Sequence, residues 1–312
     1  MGGAFPRGCF LIKKCRFGFN SKQANASFGN GLFAINRLLY LVSMFRIIET
    51  RKAKSKMKLS LSNGLFSRLS LNANFAAVKQ LGFENIEFNM KAIRKEHDRD
   101  VYREQKALAA SGLHSLTLHS AILHVKDPIE VHQAVYYGKI SLECARALDV
   151  SLMTVHSDVS KKMPRSLRER CLNEIFNDEI KPFAKKLGIK LALENLSYTS
   201  TGFGKNVEQL EEVLSVIDGG GDMGITFDLC HALETKQTDN LLGKYGKRVC
   251  NVHMANKAHK PFIEPKAELL SFLTKLHGYG YDGPITLELA HDTPMEEIAK
   301  SKALFDRLLS EF

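Results

Sequence analysis

The stretch Gly224–Glu234, GITFDLCHALE, runs from β-branched and apolar residues into Asp228 and then, three positions on, His231. Its first five residues read as a short buried strand. Taken alone, the acid and the histidine have a plain explanation: the aspartate caps the next helix and the histidine lies on the surface. The pair means more only if other strands end in the same way.

Other strands do. From Met57 onward, short apolar runs alternate with longer amphipathic ones. The predicted strands are KLSLS (58–62), NIEF (85–88), SLTLH (115–119), LMTVH (152–156), IKLALEN (189–195), GITFD (224–228), VCNVH (249–253) and ITLEL (285–289). Helical spacing separates them, as in NVEQLEEVLSVI (206–217), where Val207, Leu210, Val213, Leu214 and Ile217 share one face. Strands alternating with helices imply parallel pairing through right-handed crossovers. Eight such units predict an α/β fold, the closed (β/α)8 TIM barrel, over residues 57–312. An open doubly wound sheet is the competing architecture, but SNGLFSRLS after the first strand is not its Gly-rich phosphate turn.

In a barrel the carboxyl ends of the strands point into one shared site. Those ends supply His119, His156, Glu194, Asp228 with His231 just beyond, His253 and Glu288. A divalent metal needs several carboxylate oxygens and imidazole nitrogens converging at about 2.0–2.3 Å, which no single strand supplies. Without a cation, three carboxylates buried together repel one another. Each residue has a bland alternative on its own, such as an ion pair with lysine, a helix cap or a satisfied core histidine. Jointly they predict a ring of metal ligands at the ends of the last four strands, from Glu194, Asp228 with His231, His253 and Glu288. His119 and His156 are expected beside it, either as further ligands or as groups that bind substrate hydroxyls.

Weaker signals surround this set. TSTGFGKN (199–206) offers a Gly-rich loop whose Lys205 is a candidate phosphate contact or part of a lid, and equally an ordinary loop before a helix. His259 and Lys260, after the seventh strand, are candidate substrate contacts. Cys230, between Asp228 and His231, is expected to pack rather than ligate. The charged run 89–106 reads as a solvated helix face.

The 312 residues carry a formal charge of +10, which suggests nucleic acid until its location is examined. Residues 1–56 hold eleven Lys/Arg and a single acid, Glu49, and account for the whole excess; the remainder is balanced. A neutral body predicts no duplex-binding face. The basic extension includes the interrupted apolar run LFAINRLLYLVSMFRII (32–48), compatible with organellar targeting or a membrane-surface helix. The favoured reading is a disordered or loosely attached extension, with no transmembrane segment anywhere in the chain and a cytoplasmic location. Six scattered cysteines without a C-x-x-C pair indicate a reducing compartment.

The motifs LEN (Glu194, Asn195), FDLCHA (Asp228, His231), NVHMAN (His253) and TLELA (Glu288) resemble those of the xylose isomerase-like barrel superfamily. That superfamily includes sugar isomerases and ketose 3-epimerases, inosose dehydratases and the endonuclease IV group of DNA repair enzymes. By resemblance to its epimerases, Glu194, Asp228, His253 and Glu288 hold one divalent metal, the two glutamates also move protons, and His231 binds substrate with Asn195 nearby. By resemblance to the endonucleases, the same positions with His119 and His156 build a three-zinc cluster. That group carries an Asp-x-His pair after the seventh strand, where ANKAHKPFIEP has only His259. The resemblance therefore implies a metal-dependent isomerase or epimerase of a sugar or sugar phosphate, using Mn²⁺, Mg²⁺ or Co²⁺. A zinc-dependent (Zn²⁺) phosphodiesterase acting on abasic DNA is the alternative, and a non-catalytic sugar-binding barrel a third. Barrels of this kind often form homodimers.

Overall fold

The structure, a computed structural model, describes residues 57–92 and 101–311. The basic extension and residues 93–100 of the charged run lie outside the described residues. Eight strands form a closed parallel barrel in simple sequential order: β1 Lys58–Ser62, β2 Asn85–Asn89, β3 His114–His119, β4 Leu152–Val155, β5 Lys190–Glu194, β6 Gly224–Asp228, β7 Val249–Met254 and β8 Pro284–Leu287. All eight coincide with the runs read from the sequence to within a residue or two at each end. β4 stops just before His156 and β8 just before Glu288. The inward side-chain period nevertheless continues across that last step.

Alternation along each strand divides the interior into two parts. One set of side chains faces the helices and is apolar: Leu61, Phe88, Leu118, Val155, Leu193, Phe227, Val252 and Leu287 are all buried there. Each such residue contributes roughly 1.5–3 kcal/mol when fully removed from water. The other set faces the lumen and is polar. Thr154 Oγ1 reaches Thr226 Oγ1 at 2.9 Å and Asn251 Nδ2 reaches Thr154 Oγ1 at 3.1 Å, contacts that cross the barrel axis. Ser60 Oγ and Thr286 Oγ1 pair at 2.8 Å.

This polar layer has a simple rule. In β1 to β8 it consists of Ser60, Glu87, Thr117, Thr154, Ala192, Thr226, Asn251 and Thr286, and all but Ala192 are polar. Two residues further along the strands stand Ser62, Asn89, His119, His156, Glu194, Asp228, His253 and Glu288. A strand repeats its facing every second residue, so the second set forms the next layer towards the carboxyl ends.

The crossovers are mostly single helices. Between β4 and β5 the chain runs through Arg165–Leu172, a π-helical segment Asn173–Ile180, and Lys181–Leu187. The wider π turns directly precede Pro182, which has no N–H to donate. Gly188 ends this connection with φ 71°, a left-handed conformation that costs glycine nothing. Asn206 and Asp228 cap the helices Val207–Ile217 and Leu229–Thr235 through their side chains. Among the described residues no helix is long and apolar enough to cross a membrane.

Candidate metal centre

At the carboxyl ends of the strands, Glu194, Asp228, His253 and Glu288 each offer a ligand atom, and the four atoms lie within 4.8 Å of one another. His253 Nδ1 stands 3.0 Å from Glu288 Oε2, 3.4 Å from Glu194 Oε1 and 3.9 Å from Asp228 Oδ2. Donors at 2.0–2.3 Å around a common ion are spaced about this far apart. Among the described residues neither His253 Nδ1 nor Glu194 Oε1 has a hydrogen-bond partner, although both are fully buried. Buried polar atoms are almost always satisfied, so two orphans aimed at one point fit a cation there. The oxygen-rich donor set suits a divalent metal.

The opposite edge of His253 explains its orientation. Nε2 lies 3.0 Å from Glu87 Oε2, a fully buried carboxylate on β2. The same oxygen accepts from Thr117 Oγ1 at 2.9 Å and Asn251 Nδ2 at 3.1 Å. Glu87 was not singled out in the sequence reading. The signal was available: an acid in the middle of NIEFN, two positions before the inward Asn89, where the strand otherwise buries apolar residues.

Two further groups of donors adjoin the first. His119 and His156 converge on Glu194 Oε2, with Nε2 distances of 3.4 and 2.9 Å. His119 Nδ1 donates to the Ser120 carbonyl at 2.9 Å, which fixes the ring with Nε2 towards the carboxylate. His156 Nδ1 lies 3.2 Å from Asp158 Oδ2, another acid the sequence reading passed over. On the far side, Asp228, His231 and His259 form a third compact set. His231 Nδ1 donates to the Asn195 carbonyl at 2.8 Å and His259 Nδ1 to that of Glu288 at 3.0 Å, while the two Nε2 atoms face each other at 3.2 Å.

Electrostatics follow from this crowding. Burial alone would depress the imidazoles of His156 and His253. The carboxylates of Glu194 and Asp158 around the first, and of Glu87, Glu194 and Glu288 around the second, hold both well above the ordinary histidine value. Burial would likewise raise Glu194 and Glu288, but the charge of His253 holds both well below the usual carboxylate range. Asp228 differs: burial dominates, and its pKa is raised. The five carboxylates of Glu87, Asp158, Glu194, Asp228 and Glu288 thus depend on positive charge supplied from within the site.

Two of the expected substrate contacts have other work. Asn195 Oδ1 accepts from the Asp228 N–H at 2.8 Å and its Nδ2 donates to the Asp228 carbonyl at 2.9 Å, so the amide is spent on the backbone of β6. Lys205 Nζ donates to the Tyr198 carbonyl at 2.6 Å, and Lys205 does not line the clefts over the centre. The lysine that does is Lys91. A cleft of about 470 Å³ lies over Glu288 and His259, edged by Ser62, Asn89, Lys91 and Thr199. A recess of about 210 Å³ continues to His119, His156, Glu194 and His231. Cys230 is buried, its thiol pushed far up by burial and then by Asp228.

Known proteins agree with this architecture. An uncharacterized protein of Methanocaldococcus jannaschii, MJ1311, is 26% identical over 200 residues, covering 59% of this chain and 66% of its own length, just under two thirds. The structure of an L-ribulose 3-epimerase superposes with a TM-score of 0.68 at 17% identity, covering 82% of this chain and 95% of the other. An AP endonuclease of family 2 from Brucella melitensis gives 0.62 at 19% identity, with 80% and 98% covered. At these identities the likeness of the two structures shows the fold alone. The model of the xylose isomerase-like TIM barrel family matches residues 75–308, well over half of the chain, and the chain belongs to that family.

Proposed function

We propose that the chain is a divalent-metal-dependent isomerase or epimerase of a sugar or sugar phosphate, acting by proton abstraction next to a carbonyl. The observation that carries this reading is the convergence of Glu194 and Glu288, from β5 and β8, on the orphaned Nδ1 of His253. Glu194, Asp228, His253 and Glu288 are the residues that would hold the metal. Mn²⁺, Mg²⁺ or Co²⁺ suits their oxygen-rich set. When bound, the metal supplies Lewis-acid stabilisation of the negative charge that develops on substrate oxygens.

The chain's own groups supply the rest. Glu194 and Glu288 are carboxylates kept ionised despite burial, as a base must be. One, ionised, takes the proton from carbon and so becomes a carboxylic acid; return of that proton to the neighbouring carbon, or of a proton the other has first gained from solvent to the opposite face, completes the exchange. His231 and His259 sit at the cleft wall, where a sugar hydroxyl could bond only by entering between their facing Nε2 atoms, since both Nδ1 atoms are held by backbone carbonyls. The hydroxyls and amide of Ser62, Asn89 and Thr199 suit a polyhydroxylated ligand, and Lys91 a phosphate if the substrate carries one.

A second reading is supported by one observation. The three donor groups overlap, sharing Glu194 and Asp228, and His259 completes the third without the Asp-x-His pair. That arrangement suits a multinuclear zinc phosphodiesterase acting on abasic DNA. Elemental analysis of the purified protein separates the two. About one metal per chain, with solvent deuterium entering a ketose or its phosphate, supports the isomerase. About three zinc ions with cleavage of abasic DNA and no deuterium uptake overturns it.

A further inference from the structure

We propose that Glu87 is a positioning residue for the metal centre: it locks the His253 ring with Nδ1 towards Glu194 and Glu288, and its charge strengthens metal binding from beneath. The inference rests on the reading of Glu194, Asp228, His253 and Glu288 as a metal site.

The hydrogen-bond inventory decides the tautomer. The Asn251 amide has two N–H groups, and its Nδ2 lies 3.1 Å from both Glu87 Oε2 and Thr154 Oγ1. With both hydrogens used there, none remains for His253 Nε2, 3.2 Å away. Nε2 therefore carries a proton and donates it to Glu87 Oε2 at 3.0 Å. This leaves the Nδ1 lone pair for a metal. A carboxylate behind a ligating imidazole both fixes the ring and raises its basicity.

The backbone is arranged to build this contact. Only two strand pairs among the eight show a register shift. Between β2 and β3, Ile86 pairs with Ser115 but Glu87 with Thr117; between β6 and β7, Ile225 pairs with Val249 but Thr226 with Asn251. An extra residue in one strand re-aims the side chains that follow. Here the re-aimed residues are Thr117 and Asn251, the two other donors to Glu87. Glu87 is also the only charged member of the polar layer, and the one basic group among its hydrogen-bond partners is the His253 imidazole. A fully buried carboxylate in that position is costly unless a cation lies close above it.

The test compares Glu87→Gln with wild type and with Ser60→Ala, a change in the same layer away from His253. Metal affinity is measured by competition with a chromophoric chelator, using Mn²⁺ and Zn²⁺. The His253 tautomer is read from long-range ¹H–¹⁵N NMR correlations, and the thermal stability of the metal-free proteins is recorded. We expect Glu87→Gln to bind metal roughly 10- to 100-fold more weakly. Metal-free stability should be equal or higher, and Ser60→Ala should keep wild-type affinity. Unchanged affinity in a folded Glu87→Gln protein, or a wild-type His253 ligating through Nε2, overturns the proposal. If Glu87→Gln fails to fold, Glu87→Asp takes its place and must show weakened affinity at intact fold. A wild-type protein that binds no divalent metal would instead overturn the metal-site reading itself.

Discussion

His231 and His259 turn their Nε2 atoms towards each other at 3.2 Å, while the Nδ1 of each donates to a backbone carbonyl. Two lone pairs at that distance repel unless a proton or a metal ion lies between them. Burial alone would lower the His259 pKa, but the carboxylates of Asp228 and Glu288 raise it, which favours a proton on His259 in the metal-free protein. A raised folded-state pKa gives stability that is fully present below the unfolded value and is lost as pH rises through the folded one. The melting temperature of metal-free protein is therefore expected to fall as pH rises above the ordinary histidine value of about 6.5. His259→Ala should flatten part of that slope; an identical slope in the variant counts against that proton.

Chelation should destabilise the loaded protein without unfolding it. The apolar layer between strands and helices does not depend on the centre, so the fold survives loss of metal. Linkage sets the size: a metal present at 100 times its dissociation constant contributes roughly 2.7 kcal/mol. Differential scanning fluorimetry with and without EDTA, followed by re-addition of Mn²⁺ or Zn²⁺, measures the drop and its recovery. No shift in either direction would mean no bound metal.

Asn195→Ala is expected to act as a structural lesion with a chemical consequence. It removes two hydrogen bonds to the Asp228 backbone and leaves the buried Asp228 N–H without its Asn195 acceptor. The cost should be about 1–3 kcal/mol in urea denaturation. Because Asp228 is carried by that backbone, metal affinity should fall as well. A variant as stable as wild type would show that β6 holds Asp228 unaided.

Cys230 should resist alkylation at pH 8 in the folded protein and react once the protein is unfolded. Its thiol is buried and its ionisation is opposed by desolvation and by Asp228. Mass spectrometry of the peptide containing Cys230 after iodoacetamide treatment gives the answer. Rapid labelling of native protein would show that the loop around Asp228 opens readily.

Much of this could be read from the chain because both periodicities are local. The eight strands follow from alternation with helical spacing, and the four donors stand out because each ends a strand. The polar layer was equally legible and was missed: Ser60, Thr117, Thr154, Thr226, Asn251 and Thr286 each precede an inward residue by two, but β-branched threonines read simply as good strand formers. Glu87 was hidden for a related reason, since a lone acid within an apolar run has no local partner to reveal its role.

Sequence alone determined the barrel, its strand ends and the residue types that meet there, because those depend on patterns a few residues long. Tertiary structure decided which atoms face each other. It directed Asn195 to the Asp228 backbone and Lys205 to Tyr198, brought Lys91 to the cleft, and joined Glu87 to His253 across 166 positions. Closing the barrel, with its two register shifts, makes neighbours of side chains that no local pattern relates.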